Sequence, residues 1–249
     1  MDGKFVKWKD ANENILTDLM IDYNYEPSEI SYRNQIYNRV LSPIFDDNKL
    51  LIEEFLTYCA RALGMNKDKY WLSIDGERDS GKGVLSLLFH QSFGSYTFEF
   101  SSSNLTMRKN LEGEIRNTWA EPFVKYRLGL CNETNELNDE HKNIKLDGTK
   151  IKKIASGGDE IQIKLMRENT KSESIRASIV MLQNTLLPCS PNDAMMNMLT
   201  FRFPCYFTNE PRGLEFSKFK RADNDIKQWI ENEKNLRCAF VDIVISHFT

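Results

Sequence analysis

The sequence predicts an α/β fold built around a phosphate-binding loop, with helical segments before and after it. Three observations support this prediction. A glycine-rich stretch with a lysine at its next-to-last position, residues 76–83, stands between an aromatic and β-branched run and an apolar helical run. Short apolar runs separated by polar loops continue to about residue 208, an alternation typical of α/β nucleotide-binding cores. Apolar residues at helical spacing occupy both ends of the chain.

Three segments follow from this pattern. Residues 1–69 are predicted to be a helical N-terminal segment, interrupted at Pro27 and Pro43 and with a helix stop at Gly64. Residues 70–208 are predicted to be the P-loop core, and residues 209–249 a C-terminal helical tail. Strands are expected in the core at 70–74, around 97–100, and at 127–131, 161–165 and 177–183, with a further extended run at 199–207.

The composition is that of an ordinary globular protein. The 249 residues, 41% hydrophobic and 28% charged, are enough to bury a sizeable core. The net charge of -3 means that any nucleic-acid contact has to come from a local basic patch. The five cysteines lack CxxC spacing, so neither a zinc site nor a disulfide framework is indicated. Since no leader or membrane-span pattern is present, we expect a soluble, intracellular protein with no membrane partner, or a piece of a larger one.

The glycine-rich loop fits the P-loop pattern at all but its last position. Gly76, Gly81 and Lys82 match, whereas Gly83 stands where Ser or Thr normally offers a hydroxyl to Mg²⁺. A helix N-terminus after the loop favours an anion, so we expect nucleotide binding. The alternative is an ordinary glycine-containing turn. The predicted nucleotide contacts are Gly76, Glu77, Arg78, Asp79, Ser80, Gly81, Lys82, Gly83 and Val84.

Two polar residues that follow apolar runs are candidates for the remaining chemistry. Glu133 follows the strand predicted at 127–131 and is the candidate to hold Mg²⁺ or orient the attacking water. Asn184 follows the strand predicted at 177–183, and its amide can bond both the γ-phosphate and a water. The alternatives are a solvated carboxylate at a strand end for Glu133, and a turn before Pro188 for Asn184.

A basic hairpin is predicted between these two strands. Gly157, Gly158 and Asp159 form a strong turn signal, and the alternation after them predicts a hairpin arm bearing Lys164, Arg167 and Lys171. Such an arm beside a nucleotide site is suited to gripping a phosphate backbone. The alternative is a merely solvated, charged hairpin.

In this order, the motifs resemble those of the superfamily 3 helicases, specifically the NTPase part of the poxvirus-type primase-helicases. Residues 76–83 resemble the Walker A loop of that family, and residues 128–133 its Walker B strand. Residues 151–167 resemble its B-prime motif, which is the most specific part of the likeness, and Asn184 falls on its sensor position. The resemblance covers most of the chain.

The resemblance implies an AAA+-like P-loop NTPase core that uses ATP and Mg²⁺. It implies a homo-oligomeric ring, usually a hexamer, that surrounds single-stranded DNA and hydrolyses ATP at subunit interfaces. The implied function is an ATP-dependent DNA helicase motor in viral or plasmid-type replication, with a primase as a further domain or partner. For a viral protein, the implied location is the host cytoplasm at replication sites. Lys82, Glu133, Asn184 and Arg202 are the implied catalytic residues.

Two departures from the family pattern keep other functions open. Gly83 offers no metal ligand, and Ser86 is expected to face elsewhere. Methionines stand where the family has a pair of arginines, one of which contacts the γ-phosphate bound by the neighbouring subunit. Arg202 either replaces this arginine or only caps the end of a strand. A weakly or non-hydrolysing ring or assembly subunit is therefore the main alternative. A small-molecule kinase is disfavoured, because the basic hairpin would then have no role.

Overall fold

The computed structural model describes residues 19–65, 68–106, 117–131, 145–157, 159–163, 169–184, 186–210 and 218–248, and it contains both helices and strands. The helices are α1 (Ile30–Ile36), α2 (Ser42–Ile44), α3 (Lys49–Leu63), α4 (Lys82–Phe93), α5 (Glu121–Lys125), α6 (Gly148–Ala155), α7 (Ile226–Asn232) and α8 (Lys234–Ser246). The strands are β1 (Trp71–Asp75), β2 (Thr97–Glu99), β3 (Leu128–Cys131), β4 (Leu146–Asp147), β5 (Glu160–Ile163), β6 (Lys171–Ser174), β7 (Ser178–Gln183), β8 (Cys189–Ser190), β9 (Met198–Arg202), β10 (Tyr206–Thr208) and β11 (Phe219–Arg221).

A five-stranded parallel sheet in the order β2-β3-β7-β1-β9 forms the centre of the fold. Every neighbouring pair in it is parallel. Parallel strands need crossover connections, which cover both faces of the sheet, and β1 is accordingly buried from Trp71 to Ile74. Because the carboxyl ends of parallel strands meet at one edge, the residues that follow β1, β3 and β7 share that edge.

Each face of the sheet packs against its own hydrophobic cluster. One cluster joins Leu72 and Ile74 of β1 to buried residues of α3, α4 and α8, and the ring of Phe89 lies 4.9 Å from that of Phe240. The other cluster joins Trp71 of β1 to residues of α5 and α6. The first cluster includes residues from both terminal segments, so these segments and the sheet are stabilised by one continuous core. The boundaries predicted at 69/70 and 208/209 stay predictions.

The strands predicted from apolar runs lie within two residues of β1, β2, β3, β5 and β7. The extended run predicted at 199–207 is two strands: β9 pairs with β1, and β10 pairs with β11. Pro204 lies between them, and it has no N–H to donate to a ladder. The tail contains α7 and α8 as predicted, and it also contains β11, whose Phe-Lys-Arg sequence carries no apolar run.

The helical prediction for the N-terminal segment holds from Ile30 onward. Residues 1–18 lie outside the described residues, and 19–29 form no helix. Instead, the segment bonds to α4 and its end, where the Tyr23 hydroxyl donates to the Ser92 carbonyl at 2.6 Å. Pro43 does not interrupt the helix as predicted, because α1, a π-helical turn at Tyr37–Leu41 and α2 follow one another without a break and their junction residues are helical. The π-helical turn lies directly before Pro43, whose missing N–H cannot continue a regular helical ladder.

Neither a membrane span nor a disulfide is found in the described ranges. None of the helices there is long and apolar enough to cross a membrane. All five cysteines are buried and free, so none of them forms a disulfide.

Candidate nucleotide-binding site

The glycine-rich loop connects β1 to α4, as the sequence predicts. β1 ends at Asp75 and α4 begins at Lys82. The Gly76 N–H donates to the Gln183 carbonyl at 3.0 Å, which ties the start of the loop to the end of β7. Gly81 has a φ of +94°, and a Cβ there would lie 2.6 Å from Ile44 Cγ1. Glycine is therefore required at Gly81 both by its left-handed backbone and by the close approach of Ile44.

The N-terminus of α4 is suited to bind an anion. The N–H groups in the first turn of a helix have no acceptor within that helix, and their dipoles add to a partial positive charge. Gly81 precedes α4, and its carbonyl accepts from the N–H groups of Val84 and Leu85 at 3.1 Å. Within the described ranges no side chain accepts a hydrogen bond from this first turn. A Cβ at Gly76 would lie 2.7 Å from Ser80 Oγ and would crowd the loop. The residues present thus fit a nucleotide phosphate.

Lys82 is held over this loop. Its Nζ donates to the carbonyls of Gly76 and Glu77 at 2.5 and 2.6 Å, and to Ser80 Oγ at 3.1 Å. Burial lowers the pKa of the half-buried Lys82 amine, while the carboxylates of Asp79, Asp75 and Glu77 oppose that shift. A bound phosphate would supply more negative charge to the ammonium, so anion binding and protonation of Lys82 favour each other.

Asn184 and the strand before Glu133 lie at the same edge of the sheet. Asn184 is exposed and directly follows Gln183, the residue that accepts from the Gly76 N–H. β3 ends at Cys131, which pairs with Met181 of β7. Glu133 itself lies outside the described residues, so its placement at the site stays a prediction.

Arg202 lies beside the loop of its own chain. It ends β9, in register with Asp75 at the end of β1, and its Nε is 3.7 Å from Asp75 Oδ2. The Arg202 side chain is 73% exposed, so it can reorient toward a ligand. Asp75 was not singled out from the sequence, although its position between an apolar strand and the loop was a usable signal.

The position of Gly83 is open, and a lysine from the tail approaches it. A Cβ on Gly83 would have a single neighbour within 4 Å among the described residues, the Nζ of Lys227 in α7 at 3.9 Å. Ser86 is buried, and its Oγ donates to Glu99 Oε1 at 3.1 Å, so it faces elsewhere as expected. Lys227 is distant in sequence and belongs to no motif, so only the packing of α7 against α4 places it here.

The predicted hairpin is present. β5 and β6 are antiparallel, with Ile163 opposite Lys171. Buried and exposed residues alternate along β5, as a strand with one face on the core requires. Lys171 is exposed at the start of β6. Lys164 and Arg167 lie outside the described residues, so their contribution to a basic arm stays a prediction.

The chain is similar to proteins described as helicases. It is 24% identical over 242 residues to "Putative helicase V13" of the Sputnik virophage, a match that covers 94% of this chain and 29% of that protein. No family model matches the chain. Among solved structures, the JCV helicase superposes with a TM-score of 0.50 at 9% identity, covering 89% of this chain and 57% of that one. The chain therefore shares its fold with a helicase.

A second fold likeness has a higher TM-score. The apo structure of the NrS-1 C-terminal region superposes with a TM-score of 0.58 at 13% identity, covering 90% of this chain and 48% of that one. The chain thus spans less than a third of V13 and about half of the NrS-1 region. The predicted α/β class, with a parallel P-loop core and surrounding helices, is confirmed.

Proposed function

We propose that this chain is the ATP-dependent DNA helicase motor of a superfamily 3, poxvirus-type primase-helicase. It would translocate on single-stranded DNA in viral or plasmid-type replication. The observation that carries the proposal is the N-terminus of α4, where no side chain of the described residues accepts a hydrogen bond, with Lys82 held over a loop at the carboxyl edge of a parallel sheet. The likeness to a virophage protein named a helicase supports the same class.

Each site residue then has a role that follows from its chemistry. ATP, when bound, supplies the phosphoanhydride bond whose hydrolysis drives movement. Lys82 and the loop N–H groups would bind the phosphates, and Glu133 would hold Mg²⁺ and orient the attacking water. Asn184 would position that water, because its amide both donates and accepts hydrogen bonds. No step requires a hydroxyl at Gly83 if a water completes the metal shell.

Arg202 is proposed as the arginine that stabilises the charge on the phosphates during hydrolysis. Its place beside Asp75 favours action on nucleotide bound to its own chain, rather than on that of a neighbour. The Asp75 carboxylate would hold the guanidinium near the loop before nucleotide binds. If Arg202 only caps β9, replacing it with lysine or alanine will leave phosphate release unchanged.

The hairpin formed by β5 and β6 is the proposed DNA contact within a homo-oligomeric ring, usually a hexamer. Lys171 lies opposite Ile163, at the end of the ladder nearest the connection, and Lys164 and Arg167 follow β5 in the sequence. Replacing Lys164, Arg167 and Lys171 together with alanine should weaken single-stranded DNA binding. The slope of log affinity against log salt concentration should become shallower by about 0.7 for each DNA phosphate that a removed cation had neutralised. Lys234→Ala, on α8, is the matched control. Equal DNA affinity for the triple variant and the control would contradict the proposed DNA contact and favour a small-molecule kinase instead.

Phosphate release measured with and without single-stranded DNA tests the proposed activity. We expect release by the wild-type chain, stimulation by DNA, and loss of both in Lys82→Ala. If neither the wild type nor Lys82→Ala releases phosphate, with or without DNA, the proposal of a helicase motor is wrong.

The second candidate function is a nucleotide-binding ring or assembly subunit with weak or no hydrolysis. Gly83 favours it, because glycine has no hydroxyl to offer Mg²⁺ at the position where Ser or Thr normally does so. Light scattering would distinguish the two: ATP would raise the particle mass of an assembly subunit without release of phosphate. Stable particle mass together with DNA-stimulated phosphate release would select the motor.

A further inference from the structure

The approach of Lys227 to Gly83 has a chemical consequence. In the P-loop pattern, the side chain of residue 83 faces the metal beside the phosphates. The Nζ of Lys227 lies 3.9 Å from the point that a Cβ of residue 83 would occupy. An ammonium group therefore lies next to the position from which the metal-binding hydroxyl is missing.

Packing on both sides of α7 holds the backbone of Lys227 at this place. Ile230, one turn further along α7, is fully buried in the cluster that also contains α4. Before α7, Asp223 forms an ion pair with Arg39 at 2.7 Å, and the Arg39 guanidinium stacks 4.1 Å above the Trp229 ring. Anchoring α7 in this way lowers the entropy cost of bringing Lys227 to a ligand.

The Lys227 ammonium is available to a ligand. Its side chain is exposed, and in the part of the chain that the structure describes it forms no hydrogen bond or ion pair. A lysine ammonium is a mobile point charge with three donors, which suits it to phosphate oxygens. Three carboxylates, of Asp75, Glu77 and Asp79, lie around Lys82, so a second cation would also offset their repulsion of a phosphate.

We propose that Lys227 is a second phosphate-binding lysine, which brings positive charge from α7 to the side of the loop where Gly83 leaves no metal-binding hydroxyl. This assignment rests on the proposed nucleotide site. Lys82 contacts the phosphates from within the loop, and Lys227 contacts them from the C-terminal tail. The tail thereby becomes part of the nucleotide site, and ATP binding depends less on Mg²⁺ than in a loop that ends in Ser or Thr.

Equilibrium binding of a fluorescent ATP analogue, with EDTA and then with Mg²⁺, tests this role. We expect Lys227→Ala and Lys227→Met to weaken binding about tenfold in EDTA, the range for a hydrogen bond to a charged group. Lys227→Arg should bind nearly as the wild type does, because it keeps the charge. Lys234 is an exposed lysine on the neighbouring helix α8. Lys234→Ala is therefore the matched control and should bind the ATP analogue as tightly as the wild type does. The deficit of Lys227→Met should shrink as salt is raised, because screening weakens the contact.

The result that overturns the proposal is different from the one that overturns the site itself. If Lys82→Ala loses binding while Lys227→Ala and Lys227→Met bind as tightly as Lys234→Ala, the nucleotide site stands and Lys227 has no part in it. If the wild type and Lys82→Ala bind equally, the nucleotide site fails, and the role of Lys227 fails with it. Melting temperatures of all variants confirm that each is folded.

Discussion

Replacing Gly83 with serine should restore the missing metal ligand without disturbing the fold. A Cβ at Gly83 would be 3.9 Å from its nearest neighbour, the end of an exposed lysine, so no steric cost is expected. Serine is better than glycine within a helix by about 0.5 kcal/mol, so the variant should be slightly more stable than the wild type. Its hydroxyl would add one protein oxygen to the Mg²⁺ shell. We expect half-maximal phosphate release at about tenfold lower Mg²⁺, taking the usual effect of altering a metal site.

The assay is steady-state phosphate release over a Mg²⁺ titration, with DNA present throughout. Ser86→Ala is the control, because the Ser86 hydroxyl bonds to Glu99 and should have no effect on the Mg²⁺ midpoint. A folded Gly83→Ser variant with the wild-type midpoint and rate would refute the claim that residue 83 faces the metal. A drop in stability of the serine variant would refute the claim that the position is open.

Two further predictions concern the structure around the loop. Gly81→Ala should destabilise the protein by about 2 kcal/mol, because residue 81 has a left-handed backbone and its Cβ would clash with Ile44. This loss corresponds to a fall of roughly 4–8 °C in melting temperature. Gly83→Ala is the matched control, and equal melting temperatures of the two variants would contradict the prediction. Burial lowers the pKa of His90, although the Glu99 carboxylate, 3.3 Å from its Nε2, opposes the shift. Between this lowered pKa and about 6.5, the pKa of a histidine in the unfolded chain, the unfolded chain binds more protons than the folded one. The free energy of unfolding therefore falls as the pH is lowered through this range. His90→Gln should therefore lose less melting temperature between pH 7.5 and 5.5 than the wild type does, and an equal loss in both proteins would contradict this.

Local patterns in the sequence were enough to predict the elements around the loop. The apolar run before Gly76 and the apolar run after Gly83 have lengths and composition that suit a strand and a helix. The alternation after Asp159 likewise predicted β5. In each case the signal lies within ten residues of the element that it predicts, because side-chain periodicity reports which face is buried.

The parts that could not be predicted depend on contacts distant in sequence. Arg202 lies beside Asp75 only because β9 is the neighbour of β1, and strand order is not encoded in either strand alone. Lys227 reaches Gly83 only because α7 packs against α4. β6 has the sequence Lys-Ser-Glu-Ser, so it shows no apolar periodicity, and its pairing with β5 supplies the order that its own residues do not.

A particle image of the full chain with an ATP analogue and single-stranded DNA tests the central claim most directly. We expect a ring with DNA in its channel, the β5–β6 hairpins of successive subunits against the phosphate backbone, and nucleotide at the start of α4. We also expect Lys82 and Arg202 of the same subunit at those phosphates. Separate monomers, or DNA bound away from the hairpins with no nucleotide at the loop, would contradict a DNA motor.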